Sequence, residues 1–111
     1  RARCVAGEDV DPARLAVLPA SFEVQQRTPG RVERSRADLV RARRILSLAS
    51  RLVSPREVEV ELACEAGTYV KELVSGDEGR TTPCLASMLG VPIRVAELDV
   101  LEVMARDEDV T

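Results

Sequence analysis

Residues Cys64 to Arg80, C-E-A-G-T-Y-V-K-E-L-V-S-G-D-E-G-R, hold the chain's only tyrosine, its only lysine and three of its six glycines. In a chain that is 2% aromatic, a phenol two residues from an ammonium marks a candidate polar site. If the segment from Val58 to Lys71 is extended, Tyr69 and Lys71 share a face and leave the strand end together, while Val70 turns inward. On a helix the same two side chains diverge by roughly 200°. The plainer alternative is that Tyr69 is a half-buried packing residue and Lys71 a solvated rim charge. Gly67 either breaks the strand or admits another backbone, and Thr68 is placed to accept hydrogen bonds from a starting helix. That helix is expected over Glu72 to Ser75, closed by Gly76, with a tight polar turn from Asp77 to Arg80.

Four words in order, QQRTPGRV (Gln25 to Val32), RADLVRARR (Arg36 to Arg44), CEAGTYVKELVSGDEGRT (Cys64 to Thr81) and ELDVLEV (Glu97 to Val103), carry a resemblance. They resemble the C-terminal part of the archaeal and eukaryotic tRNA pseudouridine synthases that modify the TΨC loop. G-T-Y-V-K is also similar to the G-T-Y-I-R element found more widely among pseudouridine synthases. The resemblance implies tRNA as partner, no cofactor, no metal and a cytoplasmic setting. It also implies a reaction in which N1–C1′ of uridine breaks, the uracil turns, C5 joins C1′ and C5 loses a proton. In that family an aspartate is the nucleophile and the base is flipped out of its stack. By the same resemblance Tyr69 stacks beside the base, and Lys71 pairs with the aspartate and keeps it ionised. Leu89, or in the neighbouring register Met88, would pack beneath the base, although both also read as plain core residues. Arg31, Arg34, Arg36 and Arg80 are the candidates for RNA phosphates.

Charge patterning bears on the same question. The net charge is −3, yet from Gln25 to Arg56 nine arginines stand against Glu33 and Asp38, a balance of +7. Seven basic and seventeen acidic residues elsewhere leave −10. A basic block on an acidic body fits a face that meets phosphates, and the alternative is a solvated, salt-bridged face. No apolar run approaches the roughly 18 residues of a membrane span. Cys4, Cys64 and Cys84 have no C-x-x-C spacing and there is no histidine, so they read as reduced, structural thiols rather than metal ligands.

The elements expected to position these residues follow from pattern. Ala2 to Ala6 reads as a strand, and Asp9 or Asp11 caps a helix entered at Pro12 and ended by Pro19. Ser21 to Gln26 alternates as a strand into a Thr28-Pro29-Gly30 turn. Leu39 to Val53 is helical by propensity and strand-like by its flanking turns; the resemblance implies a long strand. Val58, Val60, Leu62 and Cys64 alternate with glutamates in the cleanest half-buried strand of the chain. Pro83 to Leu89 is a short helix stopped by Gly90, and Ile93 to Val103 a last strand with Ala96, Leu98 and Val100 on one face. Residues 104–111 read as a frayed acidic tail. The expected fold is α+β, a mixed, mainly antiparallel sheet with short helices on one side, half of a pseudouridine synthase catalytic domain.

The family's nucleophile lies in an R-E-D-x-D type motif well upstream of the Q-x-T-P word. Gly7 to Asp11, G-E-D-V-D, imitates that motif, but its place before Pro12 favours a helix cap for Asp9 or Asp11. The expectation is a single-domain piece over 1–111, inactive alone, with the rest of its parent chain upstream of Arg1 as a partner. The other functional class left open is a stand-alone RNA-binding or subunit-contact module.

Overall fold

The computed structural model describes residues 1–32 and 39–100. Six strands form one sheet in the order β5-β2-β3-β4-β1-β6. They are β1 (Ala2–Ala6), β2 (Phe22–Arg27), β3 (Val40–Ser54), β4 (Glu57–Cys64), β5 (Thr81–Thr82) and β6 (Ile93–Leu98). Every strand pair is antiparallel. Three short helices, α1 (Pro12–Ala16), α2 (Val70–Ser75) and α3 (Leu85–Leu89), contribute Leu15, Leu73, Val74, Leu85 and Leu89 to one core cluster. The strands complete it with Ala2, Cys4, Val24, Ile45, Val58 and Val60. The fold is α+β, as the pattern of elements predicts.

Register shifts in the sheet decide which side chains reach that core. The register of β3 against β4 shifts between Ile45 and Ser47. Ile45 and Leu48 can then both pack inward although they are three residues apart. The Arg, Ala and Leu residues of 39–53 are good helix formers, which is why that stretch reads as helix by propensity. The hairpin partner, with Val58 and Val60 fully buried at every second position, selects the strand. The register of β1 against β6 also shifts, placing Val95 opposite Cys4 and Leu98 opposite Ala2. Val95 packs against the core, whereas Leu98 and Val100 are exposed, so the expected face of Ala96, Leu98 and Val100 is corrected: it is not the buried one.

The helix ends follow local chemistry. Asp11 caps α1, its Oδ1 accepting from the Ala13 amide at 2.9 Å. Gly76 and Gly90 close α2 and α3 in the left-handed conformation. Cys84 caps α3: its Sγ accepts from the Ser87 amide at 3.4 Å, and Ser87 Oγ accepts from the Cys84 amide at 3.3 Å. Among the described residues no helix is long and apolar enough to cross a membrane.

Candidate functional site

The strand that carries the G-T-Y-V-K word ends early. β4 stops at Cys64, the chain turns through Glu65 to Thr68, and α2 begins at Val70, two residues before the expected start. Thr68 does not cap the helix; its hydroxyl donates to the Glu65 carbonyl at 2.6 Å, and Tyr69 occupies the cap position without a side-chain bond to the helix. Lys71 accordingly lies in the first helical turn rather than on a strand. The expected projection of Tyr69 and Lys71 from a strand end is therefore not formed: Tyr69 is the extended cap residue of α2 and Lys71 its second helical residue.

What stands against Tyr69 instead comes from β2 and the turn after it. Gln26 is 3% exposed. Its side-chain Oε1 accepts from the Tyr69 amide at 2.9 Å, and its Nε2 donates to the Tyr69 carbonyl at 2.9 Å and to Thr81 Oγ1 at 3.2 Å. The Tyr69 carbonyl also accepts from the Leu73 amide at 3.0 Å, so both of its lone pairs are used. A buried amide thus holds both backbone polar groups of the only tyrosine, in the manner of a ladder pair.

A second grip acts on the ring. Gly30–Val32 forms a 3-10 turn that sends Arg31 back towards α2. The Arg31 Nε donates to Glu72 Oε1 at 2.6 Å, and its guanidinium carbon lies 5.8 Å from the centroid of the Tyr69 ring. Glu72 is 5% exposed, so its carboxylate depends on that partner. The hydrogen bond to Glu72 holds the Arg31 guanidinium even more firmly charged than usual. The phenol therefore sits half-buried beneath a cation, a favourable arrangement for a ring.

A third set of contacts ties this turn down. The Asp77 carboxylate accepts from the Gly30 amide at 2.9 Å and lies 3.8 Å from Arg80 Nε. Arg80 Nη1 donates to the Thr28 carbonyl at 3.1 Å. Asp77 and Glu78 both take positive φ, 45° and 54°, in the turn between α2 and β5. Two consecutive non-glycine residues in that region are strained, and the Asp77 carboxylate, bound to the Gly30 amide, ties the turn down.

The residues expected from sequence distribute as follows. Arg31 lies over the Tyr69 ring and pairs with Glu72 while its side chain stays 52% exposed, and Arg80 pairs with Asp77 and donates to the Thr28 carbonyl. Lys71 is exposed and makes no hydrogen bond or ion pair among the described residues. Leu89 is 1% exposed and Met88 half-buried against the core, so Leu89 offers no face to a base. The core reading of Leu89 replaces the expected contact. Arg34 and Arg36 lie outside the described residues. Asp9 pairs with Arg56 at 3.0 Å while Asp11 caps α1, as the cap reading requires.

Gln26, Glu72 and Asp77 are the site residues that sequence reasoning missed. Gln26 had a legible signal: it alternates with Phe22 and Val24 on the inward face of a strand, and a buried amide needs partners. Burial pushes the Cys4 thiol up to about 11 and raises that of Cys64, the latter offset in part by Thr68. Neither has thiolate character, which fits the structural reading of these cysteines.

Fold and site together describe an antiparallel α+β domain in which a buried amide and an arginine hold the chain's one tyrosine. The family model described as Pus10, C-terminal, matches residues 1–104, and the chain belongs to that family. It is 45% identical over 108 residues to the tRNA pseudouridine synthase Pus10 of Thermoplasma acidophilum, an alignment covering 95% of this chain and 28% of that protein. It is 49% identical over 107 residues to the same-named protein of Archaeoglobus fulgidus, covering 93% and 29%. For the protein of Halorubrum lacusprofundi the identity is 43% over 111 residues, covering 97% and 26%. The chain thus spans between a quarter and a third of the length of these relatives. The resemblance drawn from four short words holds along almost the whole chain.

Proposed function

We propose that this chain is the C-terminal part of the catalytic domain of a tRNA pseudouridine synthase, an isomerase that needs no cofactor. Its contribution is to present Tyr69 to a flipped uracil, with the ring offering a stacking face and the hydroxyl positioning a proton acceptor. Lys71, exposed and unpaired among the described residues, is left to hold the nucleophilic carboxylate in its ionised form. That carboxylate comes from outside this stretch. Asp9, Asp11, Glu72 and Asp77 are each bound to a neighbour within the chain, so the stretch by itself is inactive. The partners are tRNA and the remainder of the parent protein, and the setting is the cytoplasm.

The observation that carries this reading is the double hold on Tyr69, backbone by Gln26 and ring by Arg31, in a chain whose relatives are tRNA pseudouridine synthases. A packing tyrosine needs neither grip. In the full-length protein, Tyr69→Phe is expected to leave tRNA affinity within about twofold while turnover falls about a hundredfold or more. Unchanged turnover would remove Tyr69 from the mechanism and return the chain to a binding module.

A further inference from the structure

The ion pairs sort the arginines into two groups. Arg1, Arg3, Arg51, Arg56, Arg31 and Arg80 each lie against a carboxylate of this chain. Arg14, Arg41, Arg43, Arg44 and Arg94 have none among the described residues, and of these Arg41 and Arg43 lie two residues apart on the first half of β3. The only hydrogen bond either side chain makes there is from Arg43 Nη1 to the neighbouring Ala42 carbonyl at 3.1 Å. This pair of uncompensated charges has a definite direction.

In the β2–β3 register Arg41 stands opposite Gln26 and Arg43 opposite Val24. Gln26 and Val24 are both buried on the inward side of the sheet. Directly opposed residues of an antiparallel pair share a face, so Arg41 and Arg43 issue from the face on which Gln26 holds Tyr69. Arg44 alternates to the other side.

Arg43 is also built in. Its guanidinium lies against Gly67, where a Cβ would stand 3.2 Å from Nη2 and 3.4 Å from Nε. Gly67 itself has φ +88°, a backbone that glycine adopts without strain. The Arg43 Nε is buried with no acceptor among the described residues. The turn that delivers Tyr69 thus packs against a charged side chain whose one hydrogen bond there, from Nη1 to the Ala42 carbonyl, leaves Nε without a partner to offset its desolvation.

We propose that Arg41 and Arg43 grip the sugar-phosphate backbone of the RNA strand beside the nucleotide that meets Tyr69. This inference rests on the RNA reading above and moves the phosphate contacts from Arg31 and Arg80 to β3. Two residues along a strand span about 6.7 Å, so the two guanidinium groups can take separate phosphates. The contact carries charge and register rather than sequence.

The test is the salt dependence of binding of an unmodified tRNA transcript to the full-length protein, between about 50 and 200 mM salt. Removing one arginine from a phosphate flattens the log–log slope by about 0.7 to 0.9. Arg41→Gln, an exposed change that spares the core, should remove one such step. Arg41→Gln with Arg43→Gln should remove two and weaken binding by about tenfold or more at the upper salt concentration. Arg43→Lys should restore most of its step, and Arg31→Gln and Arg80→Gln should leave the slope in place.

A wild-type slope in both Arg41→Gln and the double variant overturns the grip. So does an equal flattening by Arg31→Gln. If polyglutamate binding is lost in the double variant while the tRNA slope is unmoved, the surface takes an acidic protein segment and the proposal fails. Failure here is separable from failure of the catalytic reading. Normal turnover by Tyr69→Phe with a flattened slope in the arginine variants would keep the grip and discard the catalysis. Slow turnover with an unmoved slope would do the reverse.

Discussion

Gln26 converts a turn residue into a fixed one. Without its amide, the backbone of Tyr69 would rely on a single helical hydrogen bond at a cap position that carries no side-chain cap. Gln26→Leu keeps the volume but removes three hydrogen bonds from a buried site, and the expected loss of stability is about 1–3 kcal/mol. Since the chain has no tryptophan and one tyrosine, ultraviolet tyrosine emission of the isolated chain reports on Tyr69 alone. Gln26→Leu should change that emission and its quenching by iodide in the folded state, and lower turnover of the full-length protein more than tRNA affinity. An unaltered tyrosine signal and unaltered turnover would show that the ring is positioned without Gln26. Arg31 acts on the ring itself, held there by the buried carboxylate of Glu72.

At the scale of the element, α2 is six residues long and is held by its two ends. Its first end is the Gln26 clamp. Its second is Gly76, at φ +87°, where a Cβ would lie 2.7 Å from Cys84 Sγ at the cap of α3. Gly76→Ala is expected to cost about 2–4 kcal/mol, because the new methyl meets both an unfavourable backbone and a buried sulfur. Urea unfolding of the isolated chain measures it; a loss below about 0.5 kcal/mol would mean that α3 yields freely. Such a shift would reach Tyr69, because α2 connects the two. The pattern of the sequence located this helix and its glycine stop. It put the start two residues late, because the extended reading ran on to Lys71, whereas Tyr69 is the cap and is held by a strand 43 residues away.

For the whole molecule, the sheet separates two chemistries. One side carries the core, the helices and the Tyr69 site. The other carries cross-strand pairs such as Arg3 with Glu57 and Glu97, and Arg51 with Glu59. These exposed pairs add little stability, but they match acidic and basic groups to one another away from the site. At the centre of the sheet Cys4 is fully buried between β4 and β6, with its thiol pushed up to about 11 from 9.0 by burial. Between those values the unfolded chain loses the thiol proton while the folded chain keeps it. Stability from this group is therefore complete below about pH 9 and drains away as pH rises towards 11, by about 1.4 kcal/mol per unit at most. The stability gap between wild type and Cys4→Ala in urea should accordingly narrow from pH 8 to pH 10.5. A gap constant with pH would mean that the thiol titrates alike in both states.

Composition and local pattern determined where most strands and helices fall, where glycines stop the helices, that Asp9 or Asp11 is a cap, and that a basic block sits on an acidic chain. Each of these depends on residues within a turn or two of one another, so the sequence displays them. The family was legible for the same reason, since its words are contiguous. Which arginines are paired and which are left over was settled only by the tertiary structure. Arg31 finds Glu72 across 41 positions, and Gln26 finds Tyr69 across 43. Register shifts move the faces of β3 and β6, and burial of Leu89 removes it from the surface. Long-range pairing and desolvation are properties of the packed chain, and no spacing along the sequence encodes them.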